Sequence, residues 1–219
     1  MLTELLNKVS ELGTPLLLGS ITTVTITLSS LVFAIIIGLL LALIRLLKIK
    51  VVNALISTYV EIFRNTPVLA QLFILYFGLP YMGIKISPFL AATIGLSLNG
   101  GALLSEVFRA GLSAIHFGQR ESALSVGMTP WMSLRYIILP QTWRITLPPI
   151  GNYAIALLKD TAVVSAIAAP EIMFYARNLV TRTFDTTFIY ILAALLYFCL
   201  SFPLARIVDR FERNQKVWQ

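Results

Sequence analysis

Ionisable and amide side chains are scarce in this sequence, so the few that interrupt its apolar stretches say most about chemistry. Of 219 residues, 58% are hydrophobic and 12% charged, a charged share far below the quarter usual in soluble domains. Arg64, Asn99 and Asp160 each fall about 16 to 18 Å into an apolar stretch at about 1.5 Å per helical residue. A bilayer core is about 30 Å thick, which puts all three near its midplane. A cation, an amide and a carboxylate at one depth could hold a zwitterion, with Arg64 taking a carboxylate and Asp160 an ammonium or guanidinium. Ser97 and Thr161 add hydroxyls that line a path without a large charge penalty. The structural alternative is pairing within the chain: Arg64 with Glu61 one turn away, and Asp160 with Lys159.

The same inventory excludes most catalysis. One cysteine, Cys199, and one histidine, His116, give no disulfide framework and no Cys/His metal cluster. With no H-E-x-x-H and no G-x-S-x-G, neither a metal hydrolase nor a nucleophilic triad can be assembled. There is no G-x-x-x-x-G-K-[ST], so the chain offers no P-loop for nucleotide hydrolysis. No catalytic residue, metal ligand or bound cofactor is expected. The net charge of +7 is spread between apolar stretches instead of forming a basic stripe, which argues against nucleic acid and for membrane topology.

An all-α integral membrane domain is therefore expected over residues 1–219. Leu2, Leu5, Leu6, Val9 and Leu12 lie at helical spacing and predict an interfacial helix over 2–12. Spans are predicted over 15–44, 53–77, 88–112, 148–170 and 187–205, the fourth opening at Pro148-Pro149 because prolines are tolerated in a first turn. Pro67 lacks the donor its backbone would offer to Phe63 and predicts a bend in span two. Gly78 to Ser87 reads as a turn, and Glu171 to Asp185 as a polar connection that a short interfacial helix could form. Glu106 and Arg109, three apart, are placed to pair locally.

Five spans put the termini on opposite sides. Arg45, Lys48, Lys50, Arg109, Arg120, Arg135, Arg144, Arg206, Arg210, Arg213 and Lys216 then share one side, against Lys8, Lys85, Arg177 and Arg182 on the other. The excess of cations marks the cytoplasmic side and leaves the N-terminus outside.

One segment on that side is polar for some twenty residues, Gly118 to Pro140. Arg120, Glu121 and Arg135 would each cost about 2.5 to 3.5 kcal/mol at a helix centre in lipid, so the segment must lie in water. Its first half reads as a short helix ended by Gly127 and Pro130, with Ala123 and Gly127 forming a smooth stripe on which a partner could pack. An ordinary amphipathic loop helix would read the same way.

Glu121-Ser122-Ala123, then Gly127, then Ile137-x-Leu139-Pro140 resembles the EAA loop of ABC-transporter permeases, which docks on the ATPase subunit. Only Ser122 departs from the usual second alanine. Glu61-Ile62-Phe63-Arg64-Asn65-Thr66-Pro67 is similar to the E-x-x-R-x-T-P segment of polar amino-acid uptake permeases of the histidine, glutamine and arginine type. Ser105 to Gly111 and Lys159 to Ser165 are similar to two more of their segments.

The resemblance implies a type I importer permease with five spans and a cytoplasmic coupling helix at Glu121, Ser122, Ala123 and Gly127. It also implies a second permease chain, identical or paralogous, two copies of an ABC ATPase carrying ATP and Mg, and an extracytoplasmic amino-acid-binding protein. The expected function is alternating-access uptake of a polar or cationic amino acid. Asp160 tilts this toward arginine, lysine or histidine, and Asn99, where the family runs to alanine, becomes a specificity candidate. The competing reading is an ATP-independent carrier or channel, although no internal repeat supports one.

Overall fold

The computed structural model describes the backbone of residues 2–216 and the side chains of residues 12–213. Among them the chain forms nine α-helices and no strand: α1 Leu2–Arg45, α2 Lys50–Asn65, α3 Val68–Phe73, α4 Pro88–Ser113, α5 Phe117–Ser125, α6 Pro130–Ser133, α7 Leu139–Asp160, α8 Ile172–Thr183 and α9 Thr186–Lys216. Among the described residues, four stretches are long and apolar enough to cross a membrane unaided: Leu12–Arg45, Pro88–Ser113, Pro130–Ile167 and Thr186–Arg213. A fifth span is broken. Lys50–Asn65 and Val68–Met82 qualify only together and meet at 106°.

The core is the seam between α1 and α4, and small residues make it. Ala34, Gly38 and Ala42 repeat every fourth position on α1, and all three are buried. Such a stripe lets two backbones approach where lipid offers no hydrophobic drive for association. A β-carbon on Gly38 would sit 2.9 Å from the backbone of Leu104 and Ser105. On α4, Thr93, Ser97, Gly101, Leu104, Phe108 and Gly111 follow the same three-to-four spacing and are buried. Ser87 caps this helix by accepting from the Leu90 amide at 3.2 Å, with Pro88 in the first turn, where its missing donor does no harm.

Two boundaries differ from the sequence expectation. The interfacial helix over 2–12 is not separate: α1 runs unbroken through Pro15. The apolar face proposed at Leu2, Leu5, Leu6 and Val9 lies outside the described side chains. Span four does not open at Pro148-Pro149, which lie inside α7. Packing overrides their local cost of about 3 kcal/mol, because the turns around them are clamped: Thr146 and Ile150 are buried, Gly111 faces Thr146, and Gly151 lies on Val208 of α9. Counted from Pro130 this span has 38 residues, about 57 Å of helix, so its first turns stand clear of the bilayer core. The short helix allowed for in the polar connection before span five is present as α8, and it packs on α1 and α9 through Leu16, Ile172, Ala176, Leu179, Ile189 and Ala193.

Candidate translocation site and coupling helix

At the broken span the missing donor of Pro67 leaves the carbonyl of Phe63 without its helical partner. Two side-chain amides take over. Gln71 donates to the carbonyls of Phe63 at 2.9 Å and Thr66 at 2.8 Å, and Asn99 of α4 donates to Phe63 at 2.9 Å and to the Gln71 amide oxygen at 3.2 Å. Tyr59 fixes α2 against α4 one turn earlier by donating to the Leu98 carbonyl at 2.6 Å. Irregular backbone at membrane depth survives only when protein groups satisfy it, and here they do. The bend expected at Pro67 is present, and Asn99, expected as a specificity residue, has its amide committed to holding that bend.

The other pocket residues separate into two sets. Ser97 donates to the Thr93 carbonyl inside the α1–α4 seam and is 4% exposed; Thr161 donates to the Leu158 carbonyl and is 0% exposed. Neither lines an open path, which corrects the expectation for both: equal depth places a residue along a helix but not around it. Arg64 and Asp160 are exposed. Among the described residues the side chains of Arg64, Glu61 and Asp160 make no hydrogen bond or ion pair, so Arg64 does not pair with Glu61, while the charge of Lys159 still acts on the Asp160 carboxylate beside it. Arg64 borders an open cavity of about 420 Å³ with Leu103, Leu104, Glu106, Val107, Ala110 and Tyr153. Tyr153 stands two turns before Asp160 on α7, about 10 Å along the axis.

The polar segment forms α5. His116 caps it, its Nδ1 accepting from the Gly118 amide at 3.2 Å. At the other end Gly127 adopts φ 83°, while the Met128 amide donates to Ala123 at 3.1 Å and the Gly127 amide to Leu124 at 3.0 Å. This is the Schellman closure, which needs a left-handed residue and so favours glycine. Ala123 is 5% exposed and faces its own chain, so Ala123 and Gly127 do not form the outward stripe expected. One packs the helix down and the other ends it. The outward surface comprises Glu121 and Ser122 with Phe117, Leu124 and Val126.

Two links tie α5 to the spans. Gln141 at the base of α7 donates to Gln119 at 3.4 Å and to the Ile137 carbonyl at 3.0 Å. Above, Glu106 accepts from Arg109 at 2.6 and 2.8 Å, the local pair expected, and also from Arg45 at the end of α1 at 2.6 Å. The carboxylate therefore brackets the ends of α1 and α4, immediately before the chain turns into α5.

Sequence reasoning missed Gln71, Arg45 and Glu171. Glu171 is fully buried, caps α8 by accepting from Met173 at 2.9 Å and Phe174 at 2.7 Å, and takes the hydroxyl of Tyr197 on α9. Its position just before an apolar helical run was the available signal.

These features define a class: a multi-pass helical membrane protein whose second span is broken and braced, with a short polar helix between its third and fourth spans. The family described as binding-protein-dependent transport system inner membrane component matches residues 34–217, and this chain belongs to it. The chain is similar to the probable amino-acid ABC transporter permease protein YckA of Bacillus subtilis, 39% identical over 81% of this chain and 79% of that protein. It is also similar to the L-cystine transport system permease protein TcyB of the same organism, 37% identical over 91% and 86%. The glutamine transport system permease protein GlnP of Escherichia coli is 32% identical over 93% and 94%.

Among solved structures, a crystal structure of an amino acid ABC transporter with histidines superposes with a TM-score of 0.88 at 33% identity, covering 94% of this chain and 97% of that one. The inward-facing MetNI methionine ABC transporter shares the fold, with a TM-score of 0.70 at 21% identity over 90% and 95%. The chain is thus a non-catalytic inner-membrane permease subunit, and ATP hydrolysis belongs to its partner ATPase.

Proposed function

We propose that this chain is the translocation subunit of an ATP-driven importer for polar or cationic amino acids, with arginine, lysine or histidine favoured. The observation that carries the reading is the unpaired Asp160. A carboxylate at membrane depth faces water, a partner chain or a cation, because lipid would charge it several kcal/mol. Among the described residues Asp160 makes no ion pair; the charge of the adjacent Lys159 acts on it without a contact, which leaves the carboxylate open to a substrate ammonium, imidazolium or guanidinium as its close counter-ion. Arg64, also unpaired and bordering the cavity with Tyr153, is suited to the substrate carboxylate. The relatives named above for cystine and glutamine, and the neighbour solved with histidines, support an amino acid as the substrate.

Movement is driven through α5. Two ATPase copies, carrying ATP and Mg, dock on Glu121, Ser122 and the apolar side chains beside them, and Ala123 and Gly127 give the helix its seat and its end. A second permease chain completes the pathway, and an extracytoplasmic binding protein delivers substrate to the face bearing the N-terminus. The C-terminus and α5 are cytoplasmic. Glu121→Arg tests the coupling: the variant should fold with unchanged helical content, yet fail to co-purify with the ATPase. Normal ATPase association would remove α5 as the docking element and return an ATP-independent carrier to consideration.

A further inference from the structure

Glu171 is the only fully buried carboxylate among the described residues. Its backbone is pinned: a β-carbon on Gly19 of α1 would lie 2.9 Å from the Glu171 carbonyl carbon and from Ile172, and the Ile172 amide donates to Thr23 of α1 at 3.4 Å. Capping α8 already occupies both carboxylate oxygens, through the Met173 and Phe174 amides. The cap alone needs no phenol. Yet Tyr197 of α9 gives its hydroxyl proton to Glu171, and the hydroxyls of Thr23 and Thr161 stand beside the Tyr197 oxygen.

Thr161 follows directly on Asp160, where α7 ends and the chain tightens into a 3-10 segment, Thr161–Ile167. A 3-10 stretch of this length is uncommon and often marks a hinge. Here both of its ends are held at one place. The start reaches Tyr197 through Thr161; the end turns back through Ala168, a left-handed residue at φ 59°, and arrives at Glu171. Between them Val164 and Ile167 are buried in one cluster with Ile26, Leu72 and Leu96, and Arg177 of α8 reaches the Ser165 hydroxyl at 3.4 Å. Successive helical residues project about 100° apart. With Thr161 turned fully inward and its hydroxyl donating to the Leu158 carbonyl at 2.7 Å, the direction of the exposed Asp160 is set by its neighbour.

We propose that the Tyr197 hydroxyl, anchored on Glu171, is a positioning group for Asp160: it clasps the two ends of the 3-10 segment and so sets where the Asp160 carboxylate points. This rests on the reading of Asp160 as the counter-ion of the substrate, and it adds a side chain of α9 to those that set affinity for a cationic amino acid.

Two readouts on the permease purified with its ATPase in nanodiscs test the clasp. In a Cys199→Ser background, the rate at which a charged, water-soluble maleimide labels Asp160→Cys reports the exposure of position 160. Tyr197→Phe, which keeps the ring and the α8 cap, should raise that rate severalfold; an unchanged rate overturns the proposal. Glu171→Gln, which retains an acceptor for α8 but not the charge that holds the phenol, should raise it in the same direction and decides the matter if Tyr197→Phe folds poorly. The second readout is arginine binding to the same complex without binding protein. Tyr197→Phe should weaken it about tenfold, the worth of one hydrogen bond to a charged group. Little further loss should follow in an Asp160→Asn background, because residues that act through one another are non-additive. Equal losses in both backgrounds, as general destabilisation would give, overturn the proposal. Faster labelling together with arginine binding indifferent to Asp160→Asn keeps the clasp and removes Asp160 as the counter-ion, so the two claims fail separately.

Discussion

The α1–α4 seam and the α2–α3 break both rest on α4, and each handles backbone at membrane depth differently. In the seam the two backbones are regular, and shape does the work. Ala34, Gly38 and Ala42 leave no room between α1 and the Leu104 turn, and the seam's hydroxyls are returned to helix carbonyls, as Ser97 and Ser105 are. At the break the helix is interrupted, and hydrogen bonds do the work, with Gln71 and Asn99 replacing the ladder that Pro67 removes. The seam should therefore be intolerant of added volume and indifferent to small polar changes. The break should tolerate modest changes of shape and fail when its donors become apolar.

Substitutions can break that contrast, beginning with volume in the seam. Gly38→Leu adds atoms where even a β-carbon lies 2.9 Å from α4 backbone, and overpacking a rigid site costs about 1 to 3 kcal/mol or more. Little folded chain should reach the membrane, as read by size-exclusion of the solubilised protein. Gln71→Leu leaves the Thr66 carbonyl unmet and Phe63 with Asn99 alone, at about 1 to 3 kcal/mol for the group left unmet. Its thermal unfolding in detergent should fall clearly below wild type.

Asn99→Leu should lose less, about 1 kcal/mol, because Gln71 still serves Phe63. In the double variant the two losses should be non-additive, since the residues share a network. Gly127→Ala enters open space but must hold φ 83°, a strain of about 1 to 2 kcal/mol. ATPase co-purification should weaken without being abolished. Ser97→Ala should have the smallest effect, within about 1 kcal/mol of wild type, and should leave amino-acid preference unchanged in an uptake assay. A shift in preference would return Ser97 to the pathway.

Much of this was legible from residue type alone. Long apolar runs announced the spans, Pro67 announced the bend, and Glu106 and Arg109 announced a pair. The polar island around Glu121 announced a short helix. What was not legible depends on azimuth and on partners far along the chain. Ser97, Asn99 and Arg64 share a depth, yet one faces the seam, one the break and one an open cavity. Only packing against α1, α2 and α3 decides among them. Pro148-Pro149 read as a helix start because local rules reward prolines there, and contacts from α4 and α9 reversed that. Glu171 read only as the start of a polar connection, because Tyr197, which donates to it, follows 26 positions later.

The central claim is that ATP hydrolysis by a partner drives a cationic amino acid past Asp160. ATPase activity of the reconstituted complex in nanodiscs, with binding protein and a panel of amino acids, tests it most directly. Stimulation by arginine, lysine or histidine that disappears in Asp160→Asn is the result expected. Stimulation by glutamine alone, equal in wild type and Asp160→Asn, would contradict it.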